Sequence, residues 1–419
     1  MSAHDHARPG PVPRAALPWE VWALLAGSFL VAAGYGVVAP ALPVFARSFG
    51  VGVTAAAAVV SALPVLRLLF APVSGRLVAR VGERAMYLTG LLVVAASTGA
   101  CALATSYPQL LVFRGLGGIG STMFTVSAFS LVFRLAPPGR RGQVSGMFTG
   151  SFLLGGISGP ALGGLLVAVD LHAPFVVYAA ALVVATAVVG GLLARSSGVG
   201  VRPPEPGVEP LTISRALRSP TYRAALTSGL ATGWAVQGVR VALIPLFVAV
   251  ALGREPVWAG VSLTLFAVGD GVLLLVTSGL SDRRGRRPVV VAGLVLVAVG
   301  TACLGVLPDL VVLLVASLVA GAGSGLLQPA QGAAVADLVG SRRSGGPALS
   351  GFQMASDVGA VVGPVAAGAL AEHAGFGVAF GVSGAVALVA VVVWLTTTTP
   401  GVIAGARGSP PEEAGTRAA

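Results

Sequence analysis

The stretch GMFTGSFLLGGISGPALGG, from Gly146 to Gly164, is apolar apart from its serines and threonine and carries no charge. Such a run suits a helix in a lipid core, where backbone polar groups must be satisfied within the segment. Its glycines are spaced, not scattered. Gly155, Gly159 and Gly163 recur every four residues, so they share one helix face and leave a groove where a second backbone can approach closely. Pro160 removes one backbone donor beside that face and is expected to bend the helix. The groove is expected to pack the two halves of the molecule against each other. A small-residue packing face of the kind any polytopic protein uses is the plainer alternative.

Outward from this stretch the chain keeps the same character, with 55% hydrophobic and 10% charged residues. Apolar runs longer than about 18 residues recur, the mark of membrane-spanning helices. Twelve spans are expected: Val21–Val44, Thr54–Val78, Met86–Ala104, Gln109–Phe133, Val144–Val169 and Phe175–Leu193, then Ala224–Leu252, Val257–Leu280, Val289–Leu307, Leu310–Leu338, Gly346–Ala371 and Phe376–Thr397. The fold class is therefore all-α integral membrane. It divides into a tail at 1–20, a six-helix half at 21–194, a Pro-, Gly- and Arg-rich linker at 195–223, a second half at 224–398 and a tail at 399–419. The N-terminal segment lacks a signal-peptide cleavage pattern and reads as a cytosolic tail.

The net charge of +11 does not point to nucleic acid, because the arginines sit in short segments between apolar runs and form no basic domain. Their distribution instead sets orientation. One side holds clusters such as Arg76, Arg80 and Arg84, or Arg283, Arg284, Arg286 and Arg287, while the loops of the other side hold only Arg47 and Arg254. Both termini and the linker are expected on the cytoplasmic face of the plasma membrane.

The chain repeats itself. Residues 75–84 (GRLVARVGER) have a counterpart at 278–287 (SGLSDRRGRR), Gly118 has one at Gly321, and Gly159-Pro160 has one at Gly363-Pro364. The offsets are 203, 203 and 204 residues. A near-constant shift across three landmarks implies duplicated six-helix halves, the architecture of parallel-repeat transporters.

Gly146, Gly155, Gly159-Pro160 and Gly163 together resemble the antiporter motif in the fifth helix of drug:proton antiporters of the major facilitator superfamily. The duplicated loops resemble that family's signature loop. Gly75, Arg80, Gly82 and Arg84 match it in the first copy, which has Ala79 where an Asp and Glu83 where an Arg is expected. The second copy keeps Asp282, Arg283, Gly285, Arg286 and Arg287. By resemblance this loop latches the cytoplasmic side, with more weight on the second copy. Phe113-Arg114-Gly115 opens a glycine-rich run with dinucleotide-fingerprint spacing, but it lies inside an apolar run without the required strand. It resembles instead the fourth-helix motif of the superfamily, with Arg114 as its intramembrane arginine. The resemblance further implies that spans one, four, seven and ten line a cavity, making Tyr35, Met123, Phe124, Trp234, Gln237, Arg240 and Gln328 candidate lining residues.

Five ionisable residues fall at membrane depth: Arg67, Arg114, Arg240, Asp270 and Asp357. An unpaired charge there costs on the order of 2.5–3.5 kcal/mol on insertion scales, so each is expected to face protein or water and find a partner. Asp270, between Gly269 and Gly271, has room beside it for water and is the first choice for a proton-exchanging group, with Arg240 as its partner. Asp357 is the second choice and is expected mainly to fix the eleventh helix. The alternative for both carboxylates is a purely structural pairing. Drug antiporters often carry an acid within the first helix; here that span has only Glu20 at its mouth.

The implied function is proton-coupled efflux of an amphipathic organic compound by alternating access, with a small-molecule substrate, protons and the bilayer as partners and a monomer as the working unit. Import of a small metabolite is the alternative within transport, and a membrane-embedded enzyme or receptor the alternative outside it. No cofactor or metal is expected: Cys101 and Cys303 lie inside apolar runs, and His4, His6, His172 and His373 show no ligand spacing.

Overall fold

An apolar run in lipid can satisfy its backbone N–H groups only with its own carbonyls. In a computed structural model that describes residues 17–136, 140–194, 212–339 and 346–397, twelve helices are long and apolar enough to cross a membrane. They are α1 (Trp19–Val38), α2 (Val53–Val81), α3 (Glu83–Ala102), α4 (Tyr107–Leu135), α5 (Arg141–Val169) and α6 (Ala173–Ala194). The second set comprises α7 (Pro220–Ala251), α8 (Val257–Arg284), α9 (Arg286–Cys303), α10 (Leu310–Val339), α11 (Gly346–Ala374) and α12 (Phe376–Thr396). The tails at 1–16 and 398–419 and most of the linker lie outside the described residues.

Most span edges shift by a few residues from expectation, and two of the shifts have a clear local cause. The first span stops at Val38, not Val44. Proline cannot continue the hydrogen-bond ladder, so the chain turns around Pro40 and starts a separate short helix, Leu42–Arg47. The seventh begins at Pro220, inside the stretch read as linker, because Pro at the first helical position needs no donor. It also contains two π-helical segments, Gly233–Val239 and Phe247–Ala251.

The glycine groove of α5 receives α1, not the opposite half. A Cβ on Gly159 would lie 2.9 Å from Gly36 Cα and closer still to the Ala33 carbonyl oxygen. Gly155 is equally tight against Ala32 and Ala33, and Gly163 against Val37. The second half repeats this arrangement, with Gly359 against Leu230 and Trp234, and Gly363 against Trp234. The expectation that the Gly159-Pro160 corner packs the halves together is therefore corrected in part: the groove glycines weld α1 to α5 within one half, while the Pro160 carbonyl oxygen meets Gly260 of the other half, 2.5 Å from where a Cβ would sit. Helix α5 runs unbroken through Pro160.

The halves meet along two other seams, α2 with α11 and α5 with α8. At one end, Gly164 meets Gly260, its Cα 3.1 Å from where a Cβ would sit, and Gly368 lies against Thr54 and Ala57. Thr54 N–H donates to the Glu372 carboxylate at 2.8 Å, and the Thr54 hydroxyl donates to it as well. Deeper, Ser61 Oγ donates to the Val361 carbonyl at 2.7 Å. The α5–α8 seam is still closed at Leu153, against Gly271. Beyond it, at Gly150 and Gly146, nothing lies within 4 Å of a Cβ position. The molecule is closed at the end bearing Thr54, Gly164 and Glu372 and loosens toward the loops at Gly82 and Gly285.

Those two loops are single glycines in the left-handed region, φ 90° at Gly82 and 84° at Gly285, which lets one helix end and the next begin without a linker. Glu83, the departure from the expected pattern, pairs with Arg134 of α4 at 2.5 Å and accepts a hydrogen bond from Ser130. In the second copy Arg286 pairs with Asp337 of α10 at 3.0 Å. The two bridges occupy equivalent positions with the charges exchanged. Arg84 and Arg287 likewise donate to equivalent carbonyls, those of Gly190 and Leu395. The side chains of Arg76, Ala79 and Asp282 lie outside the described residues, and Gly75, Arg80 and Arg283 fall in the ends of α2 and α8.

Candidate functional site

Where the halves separate they enclose a cavity of about 730 Å³, drawing walls from both. Of the residues expected to line it, Tyr35, Phe124, Gln237, Arg240 and Gln328 do so. Met123 and Trp234 do not. Met123 is buried against Gly90 of α3, and the Trp234 indole N–H donates to Ser383 Oγ of α12 at 3.1 Å. A helix presents only one face to a cavity, and the sequence alone did not fix which face. Helices α2, α5 and α8 line the cavity as fully as α1 and α7, through residues such as Pro64, Phe152, Leu153 and Phe266. Phe266 was legible in principle, one turn before Asp270; the others carry no signal beyond hydrophobicity.

Four of the five intramembrane charges reach this cavity: Arg67, Arg114, Arg240 and Asp270. Asp357, the fifth, forms an ion pair with Arg67, joining α2 to α11 across the two halves. The Asp357 side chain is 4% exposed, and Gln353 Nε2 donates to the same carboxylate at 3.3 Å. Its partner is in the other half, so it does more than fix its own helix.

Asp270 and Arg240 sit within reach of each other's charge, but among the described residues neither has an ion-pair contact. Arg240 Nε donates to the Val236 carbonyl at 3.0 Å, and its guanidinium lies 3.9 Å from the centre of the Phe266 ring, a cation–π contact that helps hold a desolvated charge. Asp270 accepts from Gln328 Nε2 at 3.5 Å, and the same amide donates to Ser324 Oγ at 2.8 Å. Arg240 follows the first π-helical segment of α7 directly, and Gln237 within that segment donates to Ser356 Oγ of α11 at 3.0 Å. π-helical segments recur at functional sites because they re-aim side chains that an α-helix would point elsewhere.

Arg114 is 6% exposed. Its guanidinium carbon lies 5.6 Å from the centre of the Tyr35 ring, its Nε is buried without a hydrogen-bond partner, and no carboxylate pairs with it among the described residues. At the closed end, outside the spans, the Asp170 carboxyl is held below its usual range, chiefly by the His172 backbone N–H donating to it at 2.7 Å.

A family model described as Major Facilitator Superfamily matches residues 24–263 and 228–418. The chain is 36% identical over 95 residues to multidrug resistance protein 3 of Bacillus subtilis, covering 23% of this chain and 19% of that protein. It is 24% identical over 156 residues to the quinolone resistance protein NorA of Staphylococcus aureus, covering 37% of this chain and 40% of that one. The chain thus matches between about a fifth and two fifths of the length of these relatives. Its fold is similar to that of a bacterial homologue of the human lysosomal transporter Spinster, with a TM-score of 0.73 at 16% identity over 90% of this chain and 96% of the other.

Proposed function

The chain belongs to the Major Facilitator Superfamily, and from that premise we propose that it exports amphipathic organic compounds across the plasma membrane in exchange for protons. That it is a multi-pass membrane transporter and not an enzyme follows from the family and its twelve apolar helices. Export, proton coupling and the participating residues are the reading advanced here.

The observation that carries it is the placement of Asp270. It is an ionisable carboxylate in the wall of a cavity between two halves that are closed at one end only. Arg240 is near enough to feel its charge without being locked to it. Gaining or losing a proton at Asp270 therefore changes the cavity's charge by one, and that change can be linked to which end is open. Arginine asymmetry supports cytoplasmic termini, which makes the closed end external and this conformation inward-facing. The cavity's apolar and aromatic walls suit a compound that is part apolar. Efflux is favoured over import by the local likeness to two resistance proteins.

Inside-out vesicles with an acidic lumen test the reading. The gradient should drive uptake of a substrate into the lumen, and collapsing it with an ionophore should stop accumulation. Accumulation that instead requires an alkaline lumen would reverse the direction and favour import.

A further inference from the structure

The cavity's charges do not cancel. Arg67 is neutralised by Asp357. Arg240 and Asp270 lie on the walls formed by α7 and α8, within reach of each other's charge. Among the described residues Arg114 has no such counterpart. The groups around it are Tyr35 of α1, Cys101 of α3 and Tyr178 of α6, none of which is a carboxylate. More than nine-tenths of its surface is buried, at 6% exposure, yet it contributes to the cavity wall and its Nε has no hydrogen-bond partner. Arg67 Nε, on the same cavity, is likewise buried and unpartnered. A buried cation with an unmade hydrogen bond is costly until an anion or acceptor arrives.

From this arrangement we infer that Arg114 is an anion-recognising subsite, and that the preferred cargo is an amphipath with a single carboxylate-like group. The planar guanidinium presents a fork that matches two carboxylate oxygens. The Tyr35 ring beside it, with Phe124 and Phe152 in the same walls, offers apolar and aromatic surface to the rest of the molecule. One uncompensated arginine suits one negative charge; a phosphate ester with two would leave an excess in a site of low dielectric. Arg114 belongs to the half opposite Asp270, so cargo anion and proton are held at different groups. The inference rests on this cavity being the transport site, but its test does not depend on transport.

The test is equilibrium binding to the detergent-purified full chain of three biphenyl compounds that differ only in their head group: biphenyl-4-carboxylate, its primary amide and 4-biphenylmethylamine. A charge-assisted hydrogen bond predicts that the carboxylate binds about 10- to 100-fold more tightly than the amide, and the amine most weakly. Arg114→Gln should remove that preference by weakening the carboxylate far more than the amide, and continued binding of the amide certifies that the variant is folded. Should Arg114→Gln fail to fold, Arg114→Lys keeps the charge without the fork and should retain a reduced preference. The inference is overturned if the amide or amine binds as tightly as the carboxylate, if the carboxylate does not bind up to its solubility limit, or if Arg114→Gln keeps the preference. Carboxylate-selective binding without gradient-driven transport would leave the inference standing and sink the proposed function. Transport of neutral and cationic compounds with no carboxylate preference would do the reverse.

Discussion

Gly156 and Gly159 lie less than one turn apart on α5 but face opposite surroundings, which makes them a test of the packing argument. Gly156 lines the cavity, and nothing lies within 4 Å of a Cβ placed there. Gly156→Ala should therefore collect only the gain in helix propensity, about 0.5–1 kcal/mol. A Cβ on Gly159 would lie 2.9 Å from Gly36 Cα and 3.0 Å from the Ala33 carbonyl carbon. Both are backbone atoms, so no rotamer change relieves the overlap, and α1 must back away. Overpacking of this kind costs about 1–3 kcal/mol; the propensity gain is common to both substitutions and cancels, so the two variants should differ by roughly 1–3 kcal/mol. For a folding unit of about 150–250 residues that corresponds to a gap of roughly 2–12 °C in melting temperature. Tryptophan fluorescence during heating in mild detergent reads it directly. Gly159→Ala melting with or above Gly156→Ala would refute the close approach of α1 to α5. The larger Gly159→Leu should abolish transport while still inserting, through distortion of one half and not by wedging the halves apart.

Four further outcomes follow from named contacts. Asp270→Asn should abolish gradient-driven transport and substrate-induced proton release from purified protein, while downhill exchange survives; undiminished proton release would remove Asp270 from the mechanism. Asp357→Asn leaves Arg67 without its counter-charge and should lower stability, by less than the ~3–5 kcal/mol of a fully buried pair because Arg67 opens on the cavity; melting unchanged from wild type would show the bridge to be dispensable. Glu372→Gln keeps the shape but weakens acceptance from Thr54 across the closed end, so a thiol reagent should reach a cysteine placed at Ser61 faster than in the parent; equal labelling rates would show that this contact does not hold the end shut. Glu83→Arg sets a second cation against Arg134 and should destabilise, with Arg134→Glu restoring about 1 kcal/mol in a double-mutant cycle; strict additivity would deny the pairing.

The fold was legible because lipid leaves little choice: apolar runs must be helices, and the 203-residue repeat fixed their arrangement into halves. The site was legible only in part. Arg67, Arg114, Arg240 and Asp270 announced themselves as charges in apolar runs, and all four reach the cavity. What one sequence does not display is which face of a helix a residue occupies, hence the misplacement of Trp234 and Met123. Nor does it display pairing between helices hundreds of residues apart, such as Thr54 with Glu372 or Arg67 with Asp357. The glycine face of α5 was read correctly as a close-approach surface, but its partner turned out to be α1.

The repeat also accounts for what the departures from pattern mean. Glu83 and Arg286 stand 203 residues apart, as do their partners Arg134 and Asp337, so the bridge was kept while its polarity was exchanged. The same exchange occurs at the centre of the molecule. Arg67 of α2 and Asp270 of α8 are also 203 residues apart. On the α2–α11 seam Arg67 meets Asp357. On the α5–α8 seam the position equivalent to Asp357, 204 residues earlier, is Leu153, which packs against Gly271 beside Asp270. One seam is thus fastened by an ion pair, and the other is apolar with a carboxylate left unpaired at its edge. A pair so fastened resists a change of charge, because loss of either partner strands the other. An unpaired carboxylate facing a cavity carries no such penalty. That asymmetry between duplicated seams supports assigning the latch to Arg67 and Asp357 and the proton to Asp270.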